Sequence, residues 1–239
     1  MRIHLRQIAA ASAAMAGAAV GAYGAYAAIT YARYGHPPGT GAAGSDSLLD
    51  RFMPTYDVVE RESIAVQAPA DVTLKAAAEM DMMDTPVARA IFRGRELLLG
   101  STPDPTAHPK GLLAATTSIG WRVLAEVPGR EVVVGAVTQP WMANVVFHPL
   151  PPEEFAAYDA PDYVKIVWTL RADPLTPGTS LFVTETRAVA TDADARRKFR
   201  QYWSLLSPGI ILIRKATLRP LKAEAERRAA AASARGGVA

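Results

Sequence analysis

A strand-like segment near the C-terminus carries the side chains whose spacing most suggests binding chemistry. In SLFVTETRAVA, Phe182, Thr184 and Thr186 alternate with other residues and therefore share one face of a strand. Trp168 lies on an apolar face of the preceding strand-like segment. Apolar walls with a few hydroxyl groups suit an amphiphilic ligand, which the hydroxyls would orient. We therefore expect both faces to line an interior space; the alternative is a solid core in which the threonines bond to the backbone.

Two charged residues occupy the opposite face of the same segment. Glu185 and Arg187 are two positions apart, so their side chains leave a strand in the same direction. Burial of these residues would require paired charges, and we therefore expect an exposed cross-strand pair. In the alternative interpretation, both residues face the interior and bind a polar head group.

The sequence contains no pattern typical of catalysis or metal binding. The four histidines are scattered and none has HExxH spacing. His148 is close to Glu153 and Glu154, but the neighbouring prolines favour a loop histidine. There is no Gly-x-Ser-x-Gly elbow, and the absence of cysteine excludes thiol catalysis, disulfides and cysteine metal ligands. We therefore predict no catalytic residue, no metal site and no cofactor.

The bulk composition is that of a globular domain with an N-terminal extension. Of the 239 residues, 50% are hydrophobic and 21% are charged, which is enough to form a core. Lysine and arginine total 26 against 23 acidic residues, and part of this excess of three lies at the two termini. Because no basic stripe is interleaved with aromatic residues, nucleic-acid binding is not expected.

A long amphipathic helix is predicted after the last strand. Apolar residues follow one another at steps of four, three, four and three, which is one face of a helix: Phe199, Trp203, Leu206, Ile210 and Ile213. Basic residues are assigned to the other face: Arg196, Arg197, Arg200, Arg214 and Lys215. The apolar side needs a large apolar partner, and the predicted sheet is the only one available.

The middle of this helix contains a proline that could open space above the sheet. Pro208 lacks a backbone donor and is followed by Gly209, so a kink is expected there. Ser204 and Ser207, small and polar, come just before the proline. The alternative is that Pro208 ends one helix and a second helix begins.

The order of predicted elements indicates an α+β domain. A strand over 56–68 is followed by two short helices, then by several strands joined by short turns, and finally by the long helix. Short connections favour an antiparallel meander. Helices grouped before and after the strands are typical of the α+β class.

The N-terminal segment, residues 1–35, is predicted to be a transmembrane helix. No charged residue occurs from Ile8 to Ala32, a stretch long enough to cross ~30 Å of hydrocarbon. Arginines at the start of the chain place its N-terminus in the cytoplasm and the body outside. The alternative is a secretory signal peptide cleaved after Ala25-Tyr26-Ala27.

The remaining boundaries follow from composition. Residues 36–46 are rich in Pro, Gly and Ser and are assigned to a flexible linker. The globular domain is predicted over 47–230, and residues 231–239 form a disordered tail.

Two segments resemble the START-like proteins, also called the SRPBCC superfamily. SIAVQAPADVTLKAAAEMD resembles the first strand and helix of that family, in which a strand of the form I-x-V-x-A-P-A-x-V leads into two small helices. SLFVTETRAVATDADARRKFRQYWSLLSPG is similar to the last strand and C-terminal helix of bacterial members. The resemblance covers roughly residues 56–230. It implies a helix-grip fold, in which an antiparallel sheet wraps around a long C-terminal helix and a cavity lies between them.

The resemblance implies a function in binding hydrophobic molecules. We expect a membrane-tethered, non-enzymatic carrier or binder of a lipid, polyketide or isoprenoid, with two alternatives: a cyclase or hydrolase that uses the same cavity, and a protein-interaction module without a ligand. The expected partners are therefore a hydrophobic small molecule and a membrane. The predicted ligand-binding residues are Trp168, Phe182, Thr184, Thr186, Trp203 and Ser207.

Overall fold

A computed structural model describes the backbone of residues 2–36, 46–102 and 108–236, and side chains from residue 17 onward except at residue 19. The helices are α1 (Arg2–Arg33), α2 (Ser47–Asp50), α3 (Ala70–Glu79), α4 (Pro86–Leu99), α5 (Leu112–Ser118), α6 (Pro152–Phe155) and α7 (Ala193–Gly236). The strands are β1 (Val58–Val66), β2 (Arg122–Val127), β3 (Glu131–Thr138), β4 (Phe147–His148), β5 (Val164–Thr176) and β6 (Thr179–Ala190). Residues 37–45, most of the predicted linker, lie outside the described residues, and 231–236, assigned to the tail, continue α7.

The six strands form one antiparallel sheet. Its order is β1-β6-β5-β3-β2, and the short β4 also pairs with β3. The hairpin between β2 and β3 turns through Gly129, whose φ of +70° is readily adopted by glycine. The predicted antiparallel sheet is therefore confirmed.

The last helix, α7, is continuous over 44 residues, about 66 Å at ~1.5 Å per residue. Pro208 and Pro220 both lie inside it, so the alternative of two separate helices is wrong. Leu221 and Ala225 are buried in the same core cluster as apolar residues of β3, β5 and β6. A long C-terminal helix held against an antiparallel sheet is the helix-grip arrangement that the sequence predicted.

Both faces of the sheet are covered, and β3 shows this most directly because all of its residues are buried. Val132 and Val134 belong to the core cluster that includes α7. Val133 and Val137, which point the other way, pack with Phe155 and with residues of the segment around α2. We call residues 46–57, which lie on the face of the sheet away from α7, the strap.

Charged residues under the strap are buried, contrary to expectation. Glu185 and Arg187 are 0% and 1% exposed. Arg187 donates from Nε to Oε1 of Glu185 at 2.7 Å and from Nη1 to Oδ1 of Asp50 at 2.6 Å. The Nη1 group also donates to the carbonyl oxygen of Met53 at 2.8 Å. The prediction of an exposed pair is therefore wrong, because a segment over a hundred residues earlier in the chain supplies the partners that burial requires.

A second group of charges fixes the beginning of the strap. The carboxylate of Asp46 caps α2 by accepting from the backbone N–H groups of Leu48 and Leu49 at 3.2 and 3.0 Å. Arg171 of β5 donates to Oδ2 of the same aspartate at 2.8 Å. Glu131, buried on β3, accepts from the hydroxyl of Thr169 at 2.8 Å. The strap is thus held by charge-assisted bonds at its beginning, through Asp46, and at its middle, through Asp50.

We expect Glu131→Gln to remove a pH dependence of stability. Burial and the carboxyl of Asp46 raise the pKa of Glu131 from 4.5 to about 7, although the hydrogen bond from Thr169 and the charge of Arg171 act to lower it. The folded protein therefore holds this proton more tightly than the unfolded chain does. The stabilisation is complete below pH 4.5 and is lost as the pH rises through about 7.

Urea unfolding near pH 5 and near pH 8 should show that the glutamine variant loses less stability with rising pH than the parent, by up to ~3 kcal/mol. The same loss in both proteins would contradict the prediction.

The prediction of a transmembrane N-terminal helix is wrong for the residues that the structure describes. Among the described residues, no helix combines the length and the hydropathy needed to cross a membrane. The prediction of an extracytoplasmic body held by a single-helix anchor is therefore wrong. The segment is rich in alanine and glycine, which have small apolar surfaces, and the C-terminal half of α1 instead packs along α7.

Three tyrosines, in the C-terminal half of α1 and just after it, join this helix to the domain. The hydroxyl of Tyr23 donates to the carbonyl oxygen of Leu205. Tyr34 is buried, and its hydroxyl donates to Oδ2 of Asp57 at 3.2 Å. The ring of Tyr31 lies 3.8 Å from the guanidinium carbon of Arg200. These tyrosines thus contact α7 and the end of the strap.

Candidate functional site

A cavity of about 600 Å³ lies between α7 and the sheet. Side chains of the sheet, of α7 and of the connecting helices line it. The sheet contributes Phe147, Ile166, Trp168, Leu170, Phe182, Thr184, Thr186 and Ala188; α7 contributes Phe199, Tyr202, Trp203, Leu205, Leu206, Pro208, Gly209, Ile210, Ile213, Arg214, Thr217, Leu218 and Leu221. The lining is therefore mostly apolar, with a few hydroxyls and cations.

The floor of the cavity follows from the pairing of β5 with β6. Thr186 lies opposite Trp168 and Thr184 lies opposite Leu170. Directly paired residues on antiparallel strands project to the same face. Each threonine hydroxyl therefore has a large apolar neighbour on the next strand.

The roof of the cavity is the predicted apolar stripe of α7. All five stripe residues line the cavity: Phe199, Trp203, Leu206, Ile210 and Ile213. Phe199 and Trp203 also contact each other, with ring centroids 5.9 Å apart. The stripe thus encloses the cavity rather than packing directly onto the sheet along its whole length.

The connecting elements close the side of the cavity. Ile91 and Phe92 of α4, and Trp121 just before β2, are among the lining residues. A Cβ atom added to Gly209 would come within 2.9 Å of Cγ2 of Ile91, so this glycine allows α4 to approach α7 closely. The two helices are therefore close together beside Pro208 of α7.

Five of the six predicted ligand-binding residues line the cavity: Trp168, Phe182, Thr184, Thr186 and Trp203. Ser207 is not among the lining residues. Its side chain is fully buried, and its hydroxyl lies 3.1 Å from the hydroxyl of Tyr26. Ser207 therefore faces α1, one position before the proline that borders the cavity.

Arg214 is the functional candidate that the sequence analysis missed, because it was assigned to the exposed face of the last helix. Its Nη1 group donates to the carbonyl oxygen of Glu60 at 3.3 Å and to Oγ1 of Thr184 at 3.4 Å. Its Nη2 group donates to Oγ1 of Thr186. The two cavity threonines are thus partners of one guanidinium group.

The environment of Arg214 disfavours its charge. Burial lowers the pKa of the guanidinium group, while Glu60, Glu62 and Glu185 act in the opposite direction. The spacing along the helix could have indicated this position: Arg214 follows Ile210 by four residues and Trp203 by eleven, which is one helix face.

The described lining residues provide few groups for acid–base chemistry. Arg95 and Arg214 are the charged residues among them, and none is a histidine, aspartate or glutamate. The described part of the chain also contains no group of three or more His, Cys, Asp or Glu residues that could hold a metal ion. His148 is exposed on β4, where its ring meets the edge of Tyr163.

Comparison with known proteins gives only distant likenesses. No protein-family model and no curated protein matches the chain. A protein of known structure from Chromobacterium violaceum is 13% identical over 65% of this chain and 96% of its own, with a TM-score of 0.26. A Streptomyces aromatase/cyclase is 14% identical over 71% of this chain and 94% of its own, with a TM-score of 0.24. A norcoclaurine synthase point mutant from Thalictrum flavum is 10% identical over 66% of this chain and 95% of its own, with a TM-score of 0.28.

We expect Trp203→Ala to cost less stability than Phe155→Ala. Phe155 is completely buried between the sheet and the strap, so its truncation should cost ~3–5 kcal/mol. Trp203 is 7% exposed but borders the cavity, so fewer of its contacts are lost. Urea unfolding of both variants measures the difference. An equal or larger cost for Trp203→Ala would mean that the space beside it is filled.

Proposed function

We propose that this START-like helix-grip protein binds or carries a hydrophobic small molecule of the lipid, polyketide or isoprenoid type in the cavity between its sheet and α7. The observation that carries this proposal is the cavity itself, about 600 Å³ in volume and lined mainly by apolar side chains. Small-molecule sites typically measure ~300–1,000 Å³ and combine apolar walls with a few polar groups.

The composition of the lining explains why such a ligand would enter. Removal of apolar surface from water contributes ~25 cal/mol per Å², and both the roof and the floor of the cavity offer apolar partners. Trp121, Trp168 and Trp203 present large aromatic surfaces to the same space. The hydroxyls of Thr184 and Thr186 give the cavity a polar point that could orient an amphiphilic molecule.

Binding is favoured over catalysis by the groups that line the cavity. Cyclase or hydrolase chemistry needs a positioned acid and base. Among the lining residues that the structure describes, the ionisable groups are two arginines and two tyrosines, none of which is an ordinary proton acceptor at neutral pH. In a protein-interaction module without a ligand, the other alternative, the protein's own side chains would be expected to fill this space.

We expect Thr184→Phe to block binding without unfolding the protein. The substitution keeps a residue suited to a strand and adds an aromatic ring at the cavity floor. Nile red, a neutral apolar dye, should bind the parent, and its affinity for the Thr184→Phe variant should be at least about tenfold lower. The melting temperature should change little, because the added ring enters space rather than packed atoms.

Thr176→Phe is the matched control, since Thr176 is exposed at the far end of β5. It should bind the dye as the parent does. If the parent binds no dye and Thr184→Phe lowers the melting temperature by several degrees, as overpacking by ~1–3 kcal/mol would, the carrier function is excluded. If the parent does bind the dye, mass spectrometry of an organic extract of the purified protein would identify any natural ligand.

A further inference from the structure

We propose that the ligand carries a carboxylate group, which the guanidinium of Arg214 receives together with the hydroxyls of Thr184 and Thr186. This inference rests on the proposed function and specifies the chemical class of the ligand: a hydrophobic acid rather than a neutral hydrophobic molecule. It rests on three properties of Arg214: the position of its side chain, its unused N–H donors and its charge.

The position of Arg214 is set by secondary structure. It lies on the cavity side of α7, in line with Ile210, and reaches the middle of β6 through its contacts with Thr184 and Thr186. The residues paired with these threonines on β5 are Leu170 and Trp168. The cation is therefore surrounded by the apolar surface on which a hydrocarbon chain would lie.

The hydrogen bonds of Arg214 leave room for a ligand. A guanidinium group has five N–H donors. Within the described chain, three of them are used, by the carbonyl oxygen of Glu60 and the two threonine hydroxyls. Two donors remain, which is the number that a carboxylate can engage with its two oxygens.

The charge of Arg214 is not matched by a direct ion pair among the described residues. All three of its acceptors are neutral oxygens. Glu62 forms its ion pair with Lys215 at 3.5 Å, and burial raises the pKa of Glu60, which weakens that residue as a counter-charge. A half-buried cation in apolar surroundings is costly unless an anion accompanies it. Glu60, Glu62 and Glu185 lie close enough to act on Arg214, but none forms a described ion pair with it, and a ligand carboxylate would supply that direct partner.

Arg95, the other cation of the cavity lining, does not offer the same site. Its Nη2 group donates to the carbonyl oxygen of Pro140 at 3.4 Å, and no threonine of β6 is among its described partners. Arg214 is therefore the group that combines a cation with two hydroxyls.

The experiment compares dodecanoate with methyl dodecanoate and dodecanol, three probes that differ only at the polar end. A change in tryptophan fluorescence reports binding, since three tryptophans line the cavity. At about pH 8, where the acid is ionised, the parent should bind dodecanoate at least about tenfold more tightly than the ester or the alcohol. This comparison requires no variant.

Arg214→Leu should lose the preference for the acid over the ester, whereas Arg214→Lys should retain part of it. Arg219→Leu is the matched control: this arginine lies five positions later on α7, is exposed and is not among the lining residues, so the preference should be unchanged. Equal affinity of the parent for acid and ester, or a preference that persists in Arg214→Leu, would overturn the inference and leave the proposed function standing. Binding of none of the three probes would overturn both.

Discussion

The alternation of side chains along β6 is the constraint on which the rest of the structure depends. Successive residues of a strand point to opposite faces, so one segment must satisfy two different environments. Thr184 and Thr186 face the cavity under α7, while Glu185 and Arg187 enter the charged cluster under the strap. A shift of the register by one residue would bring the charges into the cavity and the threonines under the strap. The ion pairs below the sheet therefore also determine which groups face the cavity above it.

The two sides of the sheet have complementary physical roles. Below it, the described side chains are tightly packed and every buried polar side-chain atom has a hydrogen-bond partner. A buried ion pair of this kind contributes little net stability but is costly to break, so it favours one position of the strap. Above the sheet, space is left open. A sheet fixed from one side can border a void on the other side without collapsing into it, and the apolar packing of α3 and α7 at the end of the sheet, around Leu221, supplies the stability that the cavity does not.

Much of this architecture could be predicted from local pattern, and what could not depends on contacts distant in sequence. The strands of period two, the apolar stripe of α7 and the faces of Trp168 and Phe182 are properties of short segments. The burial of Glu185 and Arg187 depends on the strap, and the orientation of Ser207 depends on α1, neither of which is visible in the local sequence. Arg214 was misassigned because residue type was given more weight than spacing. A long side chain can carry its charge across an apolar surface, so a cation within a stripe does not need to lie outside.

The topology of the sheet also determines when the protein can complete its fold during synthesis. The β2–β3 and β5–β6 hairpins join neighbouring segments and can form as soon as they leave the ribosome. In contrast, Val58 at the start of β1 pairs with Ala188, a residue made 130 positions later. Until β6 is made, β1 has an open edge that could pair with another nascent chain. Its sequence, VVERESIAV, places Glu60, Arg61 and Glu62 at its centre. Charged residues on a strand hinder unwanted edge-to-edge pairing, so the same residues that later lie near Arg214 and Glu185 protect the first strand while it waits for its partner.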